Sequence, residues 1–159
     1  MAKPGRLPSV RPEQTYFITS STWQKRSLFQ SDSLARLFLE TLFDYRKQGK
    51  YLLHAFVLMP NHFHLLITPQ PEITLERAMQ LIKGGFSYRV KAEAKSNLEV
   101  WQRGFTDRRV RNREEYEGFV DYIHRNPVEA GLAARREDYP YCSAHADFQL
   151  DPPPPYLSG

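Results

Sequence analysis

Residues 51–69 read YLLHAFVLMPNHFHLLITP. Two apolar runs of strand length flank a Pro60-Asn61 pair. Proline fixes φ and has no N–H to donate, so it suits a turn and not the middle of a sheet ladder. The stretch predicts a β-hairpin over roughly 51–58 and 62–68, ended by Pro69 and Pro71. A central hairpin restricts the fold class, because antiparallel pairing is then built into the chain.

The flanking segments predict what surrounds it. TYFITSST at 15–22 is dense in aromatic and β-branched residues and reads as a strand. In 33–48, Leu34, Leu37, Phe38, Leu42 and Tyr45 recur at helical spacing, with Ser31 or Ser33 as cap and Gly49 as stop. Residues 74–92 read as a helix with Gly84-Gly85 as an internal weak point. VWQRGFTDRRV supplies a further short strand. RNREEYEGFVDYIHRNP reads as a helix capped by Asn112, with Glu115 at capping-box spacing and Pro127 as its end or a kink. The order β, α, β, β, α, β, α predicts an α+β fold, an antiparallel sheet with helices packed on it. A basic, Pro-rich arm (1–14), one domain (15–148) and an extended Pro-rich tail (149–159) complete the expected layout.

The chain has 159 residues and 41% hydrophobic content, enough for a core in one domain. No apolar run is long enough to span a membrane. The single cysteine, Cys142, cannot form an internal disulfide, and the start lacks a signal-peptide core, so a cytoplasmic protein is expected. The formal net charge of +4 suits a polyanion partner.

Alternation along a strand puts His62 and His64 on one face and Phe63, Leu65 and Ile67 on the other. Two imidazoles on one rigid face suit a divalent metal, and a third protein ligand is then needed elsewhere. On spacing alone, two hydrogen-bonded sheet histidines are the commoner meaning of such a pair. The same structural reading is given to His54 and His145.

In the 112–127 helix, Tyr116, Phe119, Val120 and Ile123 follow i, i+3, i+4, i+7 and form the expected buried stripe. Tyr122 lies off that stripe, and Asn126 sits one turn later on the same flank. A phenol is a poor nucleophile unless its electrophile is activated, as a metal-polarised phosphate is. Tyr122 is therefore the candidate nucleophile and Asn126 the candidate third ligand, against the plainer reading of a surface tyrosine and a helix-end amide. Arg103, Arg108, Arg109, Arg111 and Arg113 precede this helix, and Lys83, Arg89 and Lys91 lie on the previous one. Arginine forks suit phosphates, and interleaved aromatics suit single-stranded nucleic acid. A solvated basic face is the alternative.

Together these segments resemble a known family. MPNHFHLLI is similar to the histidine–hydrophobe–histidine (HUH) motif of single-tyrosine transposases. YIHRNPVEAGL resembles the tyrosine-helix signature of the REP-associated tyrosine transposases. IKGGFSYR, VWQRGFTDRRVRNREEYEGFVDYIHRNPV and DYPYCSA follow in matching order, so the resemblance spans roughly 12–146. It implies a ferredoxin-like antiparallel sheet, a divalent ion (Mg²⁺ or Mn²⁺) and cleavage of single-stranded, hairpin-forming DNA. The implied products are a 5′-phosphotyrosine and a free 3′-hydroxyl. By motif, His62 and His64 would be metal ligands and Tyr122 the nucleophile. Asn126 stands where insertion-sequence relatives commonly carry glutamine. Monomer and homodimer are both consistent with the resemblance. The competing readings are a non-catalytic nucleic-acid-binding module of the same fold and a phosphohydrolase acting through water.

Overall fold

The structure, a computed structural model, describes residues 13–158; most of the basic arm lies outside the described residues. Strands β1 (Thr15–Ser21), β2 (Tyr51–Met59), β3 (His62–Pro69) and β4 (Thr106–Val110) form one antiparallel sheet in the order β2-β3-β1-β4. Helices α1 (Asp32–Lys47) and α2 (Leu75–Ala94) are the crossovers between β1 and β2 and between β3 and β4. This is the ferredoxin-like arrangement. A third helix, α3 (Arg113–Glu129), follows β4. The predicted hairpin forms with Pro60 and Asn61 as its turn. Phe29 N–H donates to the Pro60 carbonyl at 3.0 Å, and Thr22 N–H donates to that of Asn61 at 3.0 Å.

The sheet separates two cores. On one side Ile18, Leu53, Phe56, Phe63, Leu65 and Ile67 pack with Phe38, Leu42, Ile82 and Phe86 of α1 and α2. On the other side Phe17, Ala55, Val57 and Leu66 pack with Tyr116 and Ile123 of α3. The alternation in β3 thus divides its residues as expected, and the histidine face is the one covered by α3.

Three expectations change. Gly84-Gly85 does not interrupt α2, which runs unbroken through it. A Cβ on Gly85 would lie 2.6 Å from Tyr45 Oη, so this glycine lets α1 and α2 approach closely. Pro127 does not end α3, which continues to Glu129. The carbonyl left without a helix donor by Pro127 is that of Ile123, and the buried Cys142 thiol donates to it at 3.9 Å. The helix stops one turn later. Gly131, at φ +77°, donates to the Val128 carbonyl and Leu132 donates to that of Pro127, a Schellman ending that needs a residue tolerant of positive φ.

The third change is the tail, which docks instead of extending. Asp151 accepts from Arg46 Nε and Nη2, both at 2.9 Å, and from Leu53 N–H at 2.8 Å. Tyr156 Oη accepts from Thr15 N–H at 2.9 Å and donates to the Val110 carbonyl at 2.8 Å, while Leu157 is buried. Register slips between Leu53 and Ala55, and His54 sits at this bulge. Its Nδ1 donates to the Asp151 carbonyl at 2.9 Å, so its Nε2 accepts from Thr68 Oγ1 at 2.7 Å. Both ring nitrogens are occupied by structural partners, as the plainer reading of His54 expected. His145 Nδ1 likewise donates to the Glu137 carbonyl.

A pH dependence follows. Burial holds His54, His64 and His124 below the ordinary histidine pKa, His64 down to about 4. The unfolded chain then binds these protons more tightly than the folded one. Stability is complete above about pH 6.5 and falls as pH drops below it, by at most about 1.4 kcal/mol per pH unit for each histidine. Urea unfolding of metal-free protein is expected to show a lower midpoint at pH 5 than at pH 7. A His54→Gln variant is expected to be weaker at pH 7 but to have a flatter profile.

Candidate metal and nucleophile site

His62 and His64 project from the start of β3, with ring centroids 5.0 Å apart and planes at 79°. Each ring is tethered through Nδ1. His62 Nδ1 donates to Asn61 Oδ1 at 2.8 Å, and His64 Nδ1 shares a hydrogen bond with Thr19 Oγ1 at 2.9 Å. Thr19 faces His64 in the β1–β3 register. With Nδ1 of each ring engaged, Nε2 is the nitrogen of each left without a protein hydrogen bond, the arrangement usual for a metal-binding imidazole. Burial first, then the neighbouring His62, lowers the His64 pKa to about 4; burial and Lys25 lower that of His62. Both rings are therefore neutral near pH 7, the state that can bind a cation.

Helix α3 brings Tyr122 to this pair. Its ring is 5.4 Å from that of His64 and 5.8 Å from that of Phe17, edge-on to both. Tyr116, the other tyrosine of the helix, lies 5.6 Å from His54. Burial pushes its phenol up to about 12, and it sits in the core. The two contacts fix the direction of α3 along the sheet. Tyr116 lies at the level of His54, which bonds Thr68 near the end of β3, and Tyr122 lies at the level of His64. One further helical turn, about 6 Å, matches the step from His64 to His62 along the strand. Asn126 occupies that turn.

Asn126 Oδ1 is buried without a hydrogen-bond partner, and it is the one such side-chain atom among the described residues. An orphaned buried acceptor costs about 1–3 kcal/mol, so this oxygen is open to a partner from outside the chain. Two neutral imidazoles and an amide oxygen are a fitting donor set for a divalent ion. Among the described residues no three His, Cys, Asp or Glu side chains cluster as a metal site.

The basic residues divide. Arg108 faces the histidine side; its guanidinium lies 5.5 Å over the Phe119 ring. Arg109 alternates to the other face, opposite Tyr16 in the register. Arg103 and Arg111 are exposed on either side of β4. Arg113 pairs with Glu117 at 2.9 Å and covers Tyr116. Lys83 and Arg89 lie in the α1–α2 layer. Lys83 Nζ donates to the carbonyls of Gln102 and Gly104, with burial lowering its pKa to about 8. Arg89 pairs with Asp44 at 2.8 Å and Glu40 at 3.6 Å, joining α2 to α1. The structure therefore gathers His62, His64, Tyr122 and Arg108 on one side of the sheet and holds Lys83 and Arg89 on the other. Sequence reasoning did not single out Thr19, Asn61 or Phe17. Asn61 was detectable as an amide adjoining a histidine in a turn. Thr19 and Phe17 depend on the pairing register, which no local pattern gives.

A four-stranded ferredoxin-like sheet with a tyrosine-bearing helix across its histidine face is an architecture found in solved transposase structures. A solved structure described as a REP-associated tyrosine transposase bound to a REP hairpin shares it, with a TM-score of 0.72 and 25% identity over 87% of this chain and 82% of that one. A Deinococcus radiodurans structure assigned to the transposases shares the fold at a TM-score of 0.54 and 18% identity, over 72% and 91% of the two chains. The REP-associated tyrosine transposase of Escherichia coli (strain K12) is 25% identical over 84% of this chain and 78% of its own length. The family model described as "Transposase IS200 like" matches residues 12–126, and the chain belongs to that family.

Proposed function

We propose that the protein is a divalent-metal-dependent transferase of single-stranded DNA that nicks and rejoins strands through a covalent bond to Tyr122. The observation that carries this reading is the placement of Tyr122 beside His64, one helical turn before the orphaned Oδ1 of Asn126. His62 Nε2, His64 Nε2 and Asn126 Oδ1 would hold the ion, which when bound supplies Lewis-acid polarisation of a phosphate oxygen.

The remaining roles belong to the chain. Thr19 and Asn61 hold the imidazoles in one orientation. Phe17 stacks on His64 at 5.2 Å and limits its rotation. The rigid sheet and α3 fix the phenol against the phosphate site, and such positioning removes much of the barrier to in-line displacement. Tyr122 Oη forms the new P–O bond and the bond to the 3′-oxygen breaks. The phenolic proton passes to solvent, and the 3′-oxygen leaves as a hydroxyl after taking up a proton. One phosphodiester replaces another, so the linkage can be returned to a different 3′-hydroxyl. The DNA is expected to be a hairpin with a single-stranded flank, as the solved relative is bound to a REP hairpin.

Incubating the protein with labelled hairpin-forming single strands and Mn²⁺ is expected to give a denaturation-resistant adduct that a chelator prevents. Hairpin binding without adduct under Mg²⁺ and Mn²⁺ would instead identify a binding module, and turnover without adduct would identify a hydrolase. Asn126→Leu separates ligand from scaffold. Removing the orphaned amide is expected to raise metal-free stability by about 1 kcal/mol, while Mn²⁺ no longer raises Tm. An unchanged Mn²⁺ shift in Tm would remove Asn126 from the ligand set.

A further inference from the structure

Beside Tyr122 lies an open cleft of about 460 Å³, lined by Phe17, Arg108, Glu115, Gly118, Phe119 and Tyr122. Its wall is a stack of flat groups. His64 lies on Phe17 (5.2 Å, 17°), Phe17 on Phe119 (4.5 Å, 13°), and the Arg108 guanidinium over Phe119. The stack therefore runs without a break from a proposed metal ligand to a cationic fork. Among the described residues Arg108 makes no ion pair, unlike Arg113 and Arg89. Gly118 is on the exposed side of α3, and a Cβ there would meet nothing within 4 Å. Glycine inside a helix costs about 1 kcal/mol relative to alanine, so the fold sacrifices helix stability to keep the cleft mouth bare.

Every element of this cleft suits one ligand chemistry. A guanidinium held on an aromatic stack offers its outer face to a nucleobase of any sequence. Arg108 also carries charge for the adjoining backbone phosphate. The Glu115 carboxylate, anchored by Arg111 N–H at 2.8 Å, accepts hydrogen bonds and so favours base edges that present N–H groups. The Glu115 carboxylate disfavours a second phosphate in the cleft.

We propose that this cleft seats one unpaired base of the strand whose phosphate is presented to Tyr122, stacked on the outer face of the Arg108 guanidinium that Phe119 supports. This rests on reading the protein as a single-strand DNA transferase. The slot would set the register of the strand and thereby choose which phosphate reaches the phenol. Phe119, Arg108 and Gly118 are thus positioning residues; none is asked to touch the reacting atoms.

The test uses hairpin DNA whose single-stranded flank carries 2-aminopurine, or an abasic site, at one position at a time near the mapped cleavage point. With the unaltered protein, 2-aminopurine fluorescence is expected to be quenched at one position, and an abasic site there to weaken binding about tenfold or more. Gly118→Leu fills the mouth with a good helix former. It is expected to bind intact DNA about as weakly as the unaltered protein binds the abasic strand, and to show no further abasic loss. Phe119→Leu keeps the apolar volume while removing the ring, and is expected to lose the quenching and to scatter adduct formation over neighbouring phosphates. Adduct formation with no position-specific quenching, and abasic effects below about twofold throughout, would overturn the base slot and leave the catalytic reading intact. Absence of any adduct with the unaltered protein and Mn²⁺ would overturn both.

Discussion

Tyr122→Phe is expected to bind hairpin DNA with near-normal affinity and to form no covalent adduct. Tyr116→Phe is expected to keep adduct formation. The two tyrosines share a helix but not an environment. Tyr116 is buried beside His54, its phenol pushed up to about 12 by burial, with Arg113 over its ring. Tyr122 is half-buried, edge-on to His64, and lines the open cleft. Deleting a covalent nucleophile costs on the order of a million-fold elsewhere, so the adduct of the first variant should fall below detection on denaturing gels. The phenylalanine ring preserves the edge contacts to Phe17 and His64, so folding and affinity are not expected to follow activity down. An adduct that persists in Tyr122→Phe and vanishes in Tyr116→Phe would reverse the assignment.

His64→Ala is expected to abolish the Mn²⁺-induced rise in Tm together with adduct formation, and Thr19→Val to weaken both by about 10–100-fold, the usual cost of losing an outer partner of a metal-binding histidine. His64 is buried, its Nδ1 bonded to Thr19 and its face stacked on Phe17. Alanine removes the donor outright. Valine keeps the shape of Thr19 and leaves the ring free to turn. The partial loss in Thr19→Val is therefore the informative result, because a merely structural threonine would change stability without moving metal affinity. Isothermal titration with Mn²⁺ distinguishes the two. Equal metal affinity in Thr19→Val and the unaltered protein would remove the tether from the site.

The hairpin, the helices and the α+β class were legible because each is a local pattern. Pro60-Asn61 between apolar runs sets a turn, and leucine and phenylalanine spacing marks α1. The candidate site was legible in part for the same reason. His62 and His64 share a face by strand alternation, and Tyr122 and Asn126 share a flank by helical periodicity. The misread features depend on distant neighbours. Gly84-Gly85 looked like a helix weakness because Tyr45, which needs Gly85 bare, is far away in sequence. Pro127 looked like a stop or a kink, and the helix passes through it because the Cys142 thiol that meets the freed carbonyl comes from beyond the helix. The Pro-rich tail looked extended because its anchors, Arg46, Leu53 and Thr15, lie 105, 98 and 141 residues before their partners.

The sequence by itself determined which groups have the chemistry: two imidazoles in step on a strand, and a phenol and an amide in step on a helix. Local backbone geometry repeats every two residues in strands and every 3.6 in helices, and that is enough to align side chains within one element. Only the tertiary structure decided that α3 crosses the histidine face with Tyr122 level with His64, that Thr19 and Phe17 brace that ring, and that Arg108 joins them while Lys83 and Arg89 stay behind the sheet. Those relations follow from strand order and register. Register is set by which apolar faces bury together across the whole chain, and no single segment carries that information.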